Sequence, residues 1–102
     1  MSRVTIDELK NRRLAAMSDE ERAEFDEAYE ASRLAIEVGE KVRDAREAAG
    51  LSQRDLAARM GTSQAAVARL EAGGVGATLT TLQKVASALD LTISVELSGT
   101  AR

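Results

Sequence analysis

At 102 residues, 44% of them hydrophobic, the chain can bury one compact core and carry a modest extra segment, but it has no Trp, one Phe (Phe25) and one Tyr (Tyr29). Cys and His are both absent, which removes thiol nucleophiles, disulfides, imidazole bases and the usual zinc sites. The net charge of −3 belongs to the first third: residues 1–33 hold six Lys and Arg against nine Asp and Glu, whereas residues 34–102 hold eight of each.

The Asp and Glu residues sit between Lys and Arg on helical faces, the pattern of a solvated surface, so neither an enzyme nor a cofactor or metal is expected. A core of Leu, Val, Ile and Ala in a chain without Pro predicts a mainly α fold. The first residues lack an apolar signal core, and no run reaches membrane-spanning length. The expectation is a soluble, cytoplasmic protein with neither a membrane nor a small-molecule substrate as partner.

Thr5-Ile6-Asp7-Glu8 has capping-box spacing and opens a helix to about Met17. Ser18-Asp19-Glu20-Glu21 repeats the signal, and Phe25 and Tyr29, four apart, share a face of the helix that follows. From Leu34 the pattern is that of a packed domain, with Val38, Val42, Ala45 and Ala49 as the buried stripe and Gly50 as the helix end. Gly39 is expected to loosen the join with the helix before it. Ser52-Gln53-Arg54-Asp55 caps a helix with Leu56, Ala57 and Met60 inward, and Gly61 makes a tight turn. Thr62 caps the next helix, to about Ala72, with Val67 and Leu70 inward. A glycine-rich loop over 73–77 leads to Thr78, which opens a helix carrying Leu82, Val85, Ala86 and Leu89.

Residues 91–97 alternate apolar and polar, a strand signal with Leu91, Ile93, Val95 and Leu97 on one face. A lone strand cannot satisfy its own backbone, and no second strand is visible. The economical partner is the same strand of another copy, paired antiparallel across a two-fold axis in a homodimer; a strand packed on its own helices is the alternative. The expected division is 1–33, an acidic helical segment; 34–90, a helical domain; and 91–102, a dimerising strand and tail.

Gly50 to Gly73 meets the needs of a helix-turn-helix: a short turn, small residues at the contact (Ala57, Ala66), and Gln64, Ala65, Ala68 and Arg69 on the outer face of the second helix. The string from Ala49 to Ala57, with Met60 to Gly73, strongly resembles the phage-repressor/Cro-like (XRE) DNA-binding family. The resemblance implies a lambda-repressor-like bundle in which Gln64, Ala65 and Arg69 reach base edges and Ala65 and Ala68 offer apolar contacts to a thymine methyl. It implies that Gln53 caps or braces the first helix near a phosphate and that Arg46 and Glu71 form an ion pair, read as a structural brace with a direct DNA role as the alternative. Arg54 and Ser63 are candidate phosphate contacts, with plain exposed surface as their other reading. The loop after the recognition helix departs from the family pattern, lacking its basic residue and Pro. Phosphate contact there falls to Thr78, backbone N–H groups and the next helix N-terminus.

The whole layout, from Asp7-Glu8-Leu9 through Glu24-Phe25 and Glu27-Ala28-Tyr29 to the 81–97 ending, looks like a HigA-type antitoxin of a bacterial type II toxin–antitoxin pair. That implies a homodimer that binds double-stranded operator DNA, represses its own operon and neutralises a RelE-like mRNA endonuclease toxin. Leu9, Leu14, Phe25 and Tyr29 would then anchor the toxin, with simple packing on the helical domain as the other reading of the aromatics. A stand-alone XRE-family repressor without a toxin, and a protein-interaction adaptor that has lost DNA binding, are the other readings of the chain.

Overall fold

The computed structural model describes residues 5–74 and 77–99, apart from the side chains of Lys10 and Leu14. Its helices are α1 (Ile6–Ala16), α2 (Asp19–Ala48), α3 (Gln53–Met60), α4 (Gln64–Glu71) and α5 (Leu79–Ala88). The chain divides into two compact units, Met1–Arg33 and Leu34–Arg102. In the first, Thr5 and Ser18 hydroxyls accept the Glu8 and Glu21 N–H groups and start α1 and α2.

The second unit is built around Val42, Leu56, Ala57, Val67, Leu70, Val85 and Leu89, with α3 packed on both α4 and α5. Val38, Ala45, Leu51, Met60, Leu82 and Ala88 close around that centre. Leu56 and Val67 are fully buried, so the contact between the two helices of the motif has an aliphatic centre. Ser52, Ser63 and Thr78 cap α3, α4 and α5, each hydroxyl accepting an N–H three residues on. At α3 the Asp55 carboxylate returns the bond to the Ser52 N–H at 3.1 Å, completing a capping box.

Helices α2 to α5 all end in the same way. Gly50, Gly61, Gly73 and Asp90 take left-handed φ values of +72°, +69°, +83° and +56°. The next residue's N–H then returns to a carbonyl five positions back, Leu51 to Arg46, Thr62 to Ala57, Gly74 to Arg69 and Leu91 to Ala86, at 2.8–3.2 Å. At Gly61 this reversal makes the turn between α3 and α4, where an L side chain would be strained.

Four expectations are corrected. Helix α2 runs through Gly39 without a break; one glycine costs only about 1 kcal/mol in a helix, and this one is buried against α4. Ser63, not Thr62, caps α4: its hydroxyl accepts the Ala66 N–H, while Thr62 lies in the turn with its N–H returned to the Ala57 carbonyl. Ala49 is exposed, leaving Gly39, Val42 and Arg46 as the buried residues of α2. No strand forms among the described residues 91–99. Leu91 is drawn into the end of α5, and an extended segment has no ladder without a neighbouring edge to pair with. Ile93 is half-buried, while Leu91, Val95 and Leu97 are 53, 69 and 93% exposed.

A charged network locks α4 to the rest of this unit. The Arg46 guanidinium, on α2, donates from Nε to Glu71 Oε2 at 2.7 Å and from Nη2 to Oε1 at 2.9 Å. Its Nη1 donates to the Leu51 carbonyl at 2.7 Å, and Gln53 Nε2, at the start of α3, donates to Glu71 Oε1 at 3.2 Å. The two charged side chains are only 10 and 4% exposed. Burial by itself would raise the Glu71 pKa, but the bonds from Arg46 and Gln53 and the guanidinium charge outweigh it and hold the carboxyl below its usual range.

Removing one partner of such a pair strands the other charge, so Glu71→Ala should cost about 3–5 kcal/mol in chemical denaturation. Arg46→Met with Glu71→Leu should recover most of that loss, because the double variant leaves no buried charge. The Glu71 carboxylate titrates below its unfolded value of about 4.3. Its stabilisation is therefore complete above that pH and is lost as pH falls through the lower, folded-state value. Asp55, held low by its bonds with Ser52, adds to the same acid limb. Stability against pH should accordingly be flat from neutrality to about pH 5 and fall below it, less steeply in Glu71→Gln.

Candidate nucleic-acid interface

The sequence of α4 separates its two sides cleanly. Val67, Leu70 and Glu71 are buried, whereas Gln64, Ala65 and Arg69 are exposed and Ala66 and Ala68 are half-buried. Ala65 and Arg69, four apart, are neighbours on one face, and Gln64, in the first turn, lies at its edge. Among the described residues Arg69, Arg54 and Lys84 make no ion pair, which leaves their cations available to an outside anion. Arg59 instead donates to the Ala88 carbonyl at 3.2 Å and is tied to the end of α5.

The helix N-termini differ in charge. The first turns of α1, α2 and α3 hold carboxylates, and those of α4 and α5 hold none. The partial positive charge at the starts of α4 and α5 is thus left without an acid in its own first turn. Ser63 Oγ accepts the Ala66 N–H at 3.1 Å, and its own proton has no acceptor among the described residues. The Thr78 hydroxyl accepts from Thr81 N–H and donates to Thr81 Oγ1 at 3.0 Å, so its proton is already used. Gln53 is likewise committed, through its amide, to Glu71.

Beside Arg69 a hollow of about 390 Å³ opens between the motif and α5, lined by Met60, Thr62, Ala66, Arg69 and Thr81 among others. Thr62 was expected only as a helix cap, and neither it nor Thr81 was expected beside Arg69. The only signal there was hydroxyl residues flanking the recognition helix in a chain segment poor in basic ones. Gly74 crowds the root of Arg69, where an added Cβ would lie 3.0 Å from the Arg69 carbonyl oxygen and 3.6 Å from its Cβ.

A second groove of the same unit, about 370 Å³, is apolar. Leu34, Val38, Val42, Leu82 and Val85 line it together with residues 91–96. In the first unit Leu9 and Tyr29 are 55 and 51% exposed and Phe25 is half-buried; the Leu14 side chain lies outside the described residues, as do Val75 and Gly76 of the glycine-rich loop. No group of His, Cys, Asp and Glu among the described residues could hold a metal ion. No described helix is long and apolar enough to cross a membrane.

The model of a helix-turn-helix family matches residues 42–95, more than half of the chain. The crystal structure of the restriction-modification controller protein C.AhdI from Aeromonas hydrophila is similar, with a TM-score of 0.55 and 34% sequence identity over 57% of this chain and 84% of that one. No curated protein matches the chain. With the motif helices packed as described and the family model covering them, the chain belongs to the XRE-type helix-turn-helix family of DNA-binding transcription regulators.

Proposed function

We propose that this chain is a sequence-specific repressor that binds double-stranded operator DNA as a homodimer, each copy laying α4 in the major groove. The carrying observation is the exposed Gln64, Ala65 and Arg69 face on a helix whose opposite side is locked by the buried Arg46–Glu71 pair. Arg69 suits guanine O6 and N7, Gln64 suits adenine N6 and N7, and Ala65 and Ala68 suit a thymine methyl. Ser63, Arg54 and the acid-free N-termini of α4 and α5 suit phosphates. Gln53 and Thr78, with their polar groups engaged inside the fold, serve by bracing and capping the elements that reach the backbone.

The second unit carries equal numbers of positive and negative residues over 34–102, so its non-specific affinity is modest and two half-sites are needed. We place the dimer contact at residues 91–97. Antiparallel pairing centred on Ser94 sets Leu91 opposite Leu97 and Ile93 opposite Val95. The side chains most exposed in one copy then face the apolar groove of the other. Recognition helices one DNA turn apart, about 34 Å, would match an inverted repeat.

The first unit favours a second reading of the same regulator, as a HigA-type antitoxin. Its acidic excess, with Ile6, Leu9 and Tyr29 exposed, complements a basic protein such as a RelE-like mRNA endonuclease, with Leu14 and Phe25 as further anchors. Control of a restriction-modification pair, the role named for the C.AhdI protein, is the alternative setting. Co-expression with the product of the adjacent gene separates them: a stable complex with a basic endonuclease that Leu9→Asp with Tyr29→Asp abolishes supports the antitoxin, and no complex supports the stand-alone repressor.

In fluorescence-anisotropy titrations on the chain's own upstream DNA, Gln64→Ala with Arg69→Ala should weaken specific binding at least tenfold, since each bidentate base contact contributes about 1–3 kcal/mol. Binding to a scrambled duplex should fall far less. Removing residues 92–102, which spares the Leu91 N–H at the end of α5, should give a monomer in sedimentation with weakened operator binding. A truncated chain that stays dimeric would place the contact elsewhere.

A further inference from the structure

Gly39 is buried in the middle of α2, and the space where a side chain would begin is already filled by the main chain of α4. A Cβ there would lie 2.5 Å from the Leu70 carbonyl oxygen, 2.6 Å from that of Glu71 and 2.9 Å from the Glu71 carbonyl carbon. These are backbone atoms, so no rotamer change relieves the overlap. α2 and the C-terminal end of α4 therefore touch main chain to main chain, an approach only glycine allows.

Two other contacts act on the same end of α4. The Glu71 carboxylate is gripped by Arg46, two turns further along α2. One turn before Gly39, the Ile36 main chain and side chain fill the space beside Gly73, within 2.7–3.1 Å of where its Cβ would be. Residue 71 is thus held twice by one helix, at its carbonyl and at its carboxylate. A push at Gly39 cannot be taken up by sliding α4 along α2 without breaking the ion pair, so it must tilt α4. Arg69 lies next in sequence to Leu70, whose carbonyl would be pushed.

We propose that Gly39 is a positioning residue for DNA reading: its absent side chain sets the tilt of α4 and with it the placement of Arg69 and Gln64 against the bases. This rests on α4 being the base-reading helix. Clearing a 2.5 Å contact to the ordinary range, which starts at 3.4 Å, needs a retreat of about 0.9 Å or more at one end of a helix about 12 Å long, a rotation of roughly 4° or more. Base contacts tolerate little of that, since productive geometry is held to about 0.5 Å.

The test uses the full chain and two variants, compared where circular dichroism shows each to be folded. Gly39→Ala should bind the upstream duplex about tenfold or more weakly, and residual dipolar couplings should show α4 rotated relative to α3 and α5. Leu89→Ala, which thins the core at the end of α5 and leaves both the glycine seat and the Arg46–Glu71 pair in place, should lose stability yet bind within about threefold of the parent. Gly39→Ala with parental affinity and an unrotated α4 would overturn the proposal. So would a folded Leu89→Ala that loses tenfold or more, a comparison that still decides if Gly39→Ala fails to fold. A parent chain that binds no upstream DNA would instead remove the base-reading assignment, while the couplings would still report whether Gly39 seats α4.

Discussion

Two opposite charges buried side by side, Arg46 and Glu71, join the three helices on which the outward face of α4 depends. On energetic grounds the pair is not obviously favourable, because desolvating both ions costs about what their attraction returns, and apolar residues of similar size would pack as well. What an apolar contact lacks is direction. The planar guanidinium can meet both carboxylate oxygens in one orientation only, and here it also reaches the Leu51 carbonyl at the turn into α3. Gln53 adds a bond from α3 to the same carboxylate. With Glu71 held this way, α4 cannot roll, and Gln64, Ala65 and Arg69 are kept facing outward.

The electrostatics follow the same division. The acidic excess sits in residues 1–33, while the unit that carries the motif is balanced and keeps Arg54, Arg69 and Lys84 free of ion pairs among the described residues. Its two acid-free helix N-termini belong to α4 and α5. An anion at either N-terminus therefore meets positive partial charge with no carboxylate in that first turn to displace. The domain offers local attraction in place of a high overall charge, which fits the proposed reliance on two copies for affinity.

What could be read from the sequence is what local chemistry decides. Ser52 and Thr78 announce helix starts through their hydroxyls, and Gly50 and Gly61 announce helix ends through the left-handed turn they permit. Asp90 makes the same turn without being glycine and gave no such signal. Thr62 and Ser63 are adjacent hydroxyl residues, and which one caps α4 is set by where the turn after Gly61 lets the helix begin. Gly39 looked like a weak point because its reason lies far along the chain, in the carbonyls of Leu70 and Glu71. The alternation over 91–97 is real, but a ladder needs a second edge, which one chain does not supply. The Arg46–Glu71 partnership came from family resemblance, since no spacing rule links those positions, and the place of Thr62 and Thr81 beside Arg69 became visible only in the fold.

The central claim is that DNA is read by the face of α4 that the buried ion pair holds outward. The most direct measurement is a map of backbone amide shifts in the full chain as a duplex from its own upstream region is added. The account predicts changes concentrated on Gln64 to Arg69, with weaker ones at the starts of α3 and α5 and none over residues 6–33. Changes confined to residues 6–33 or to the apolar groove, with α4 silent, would contradict it.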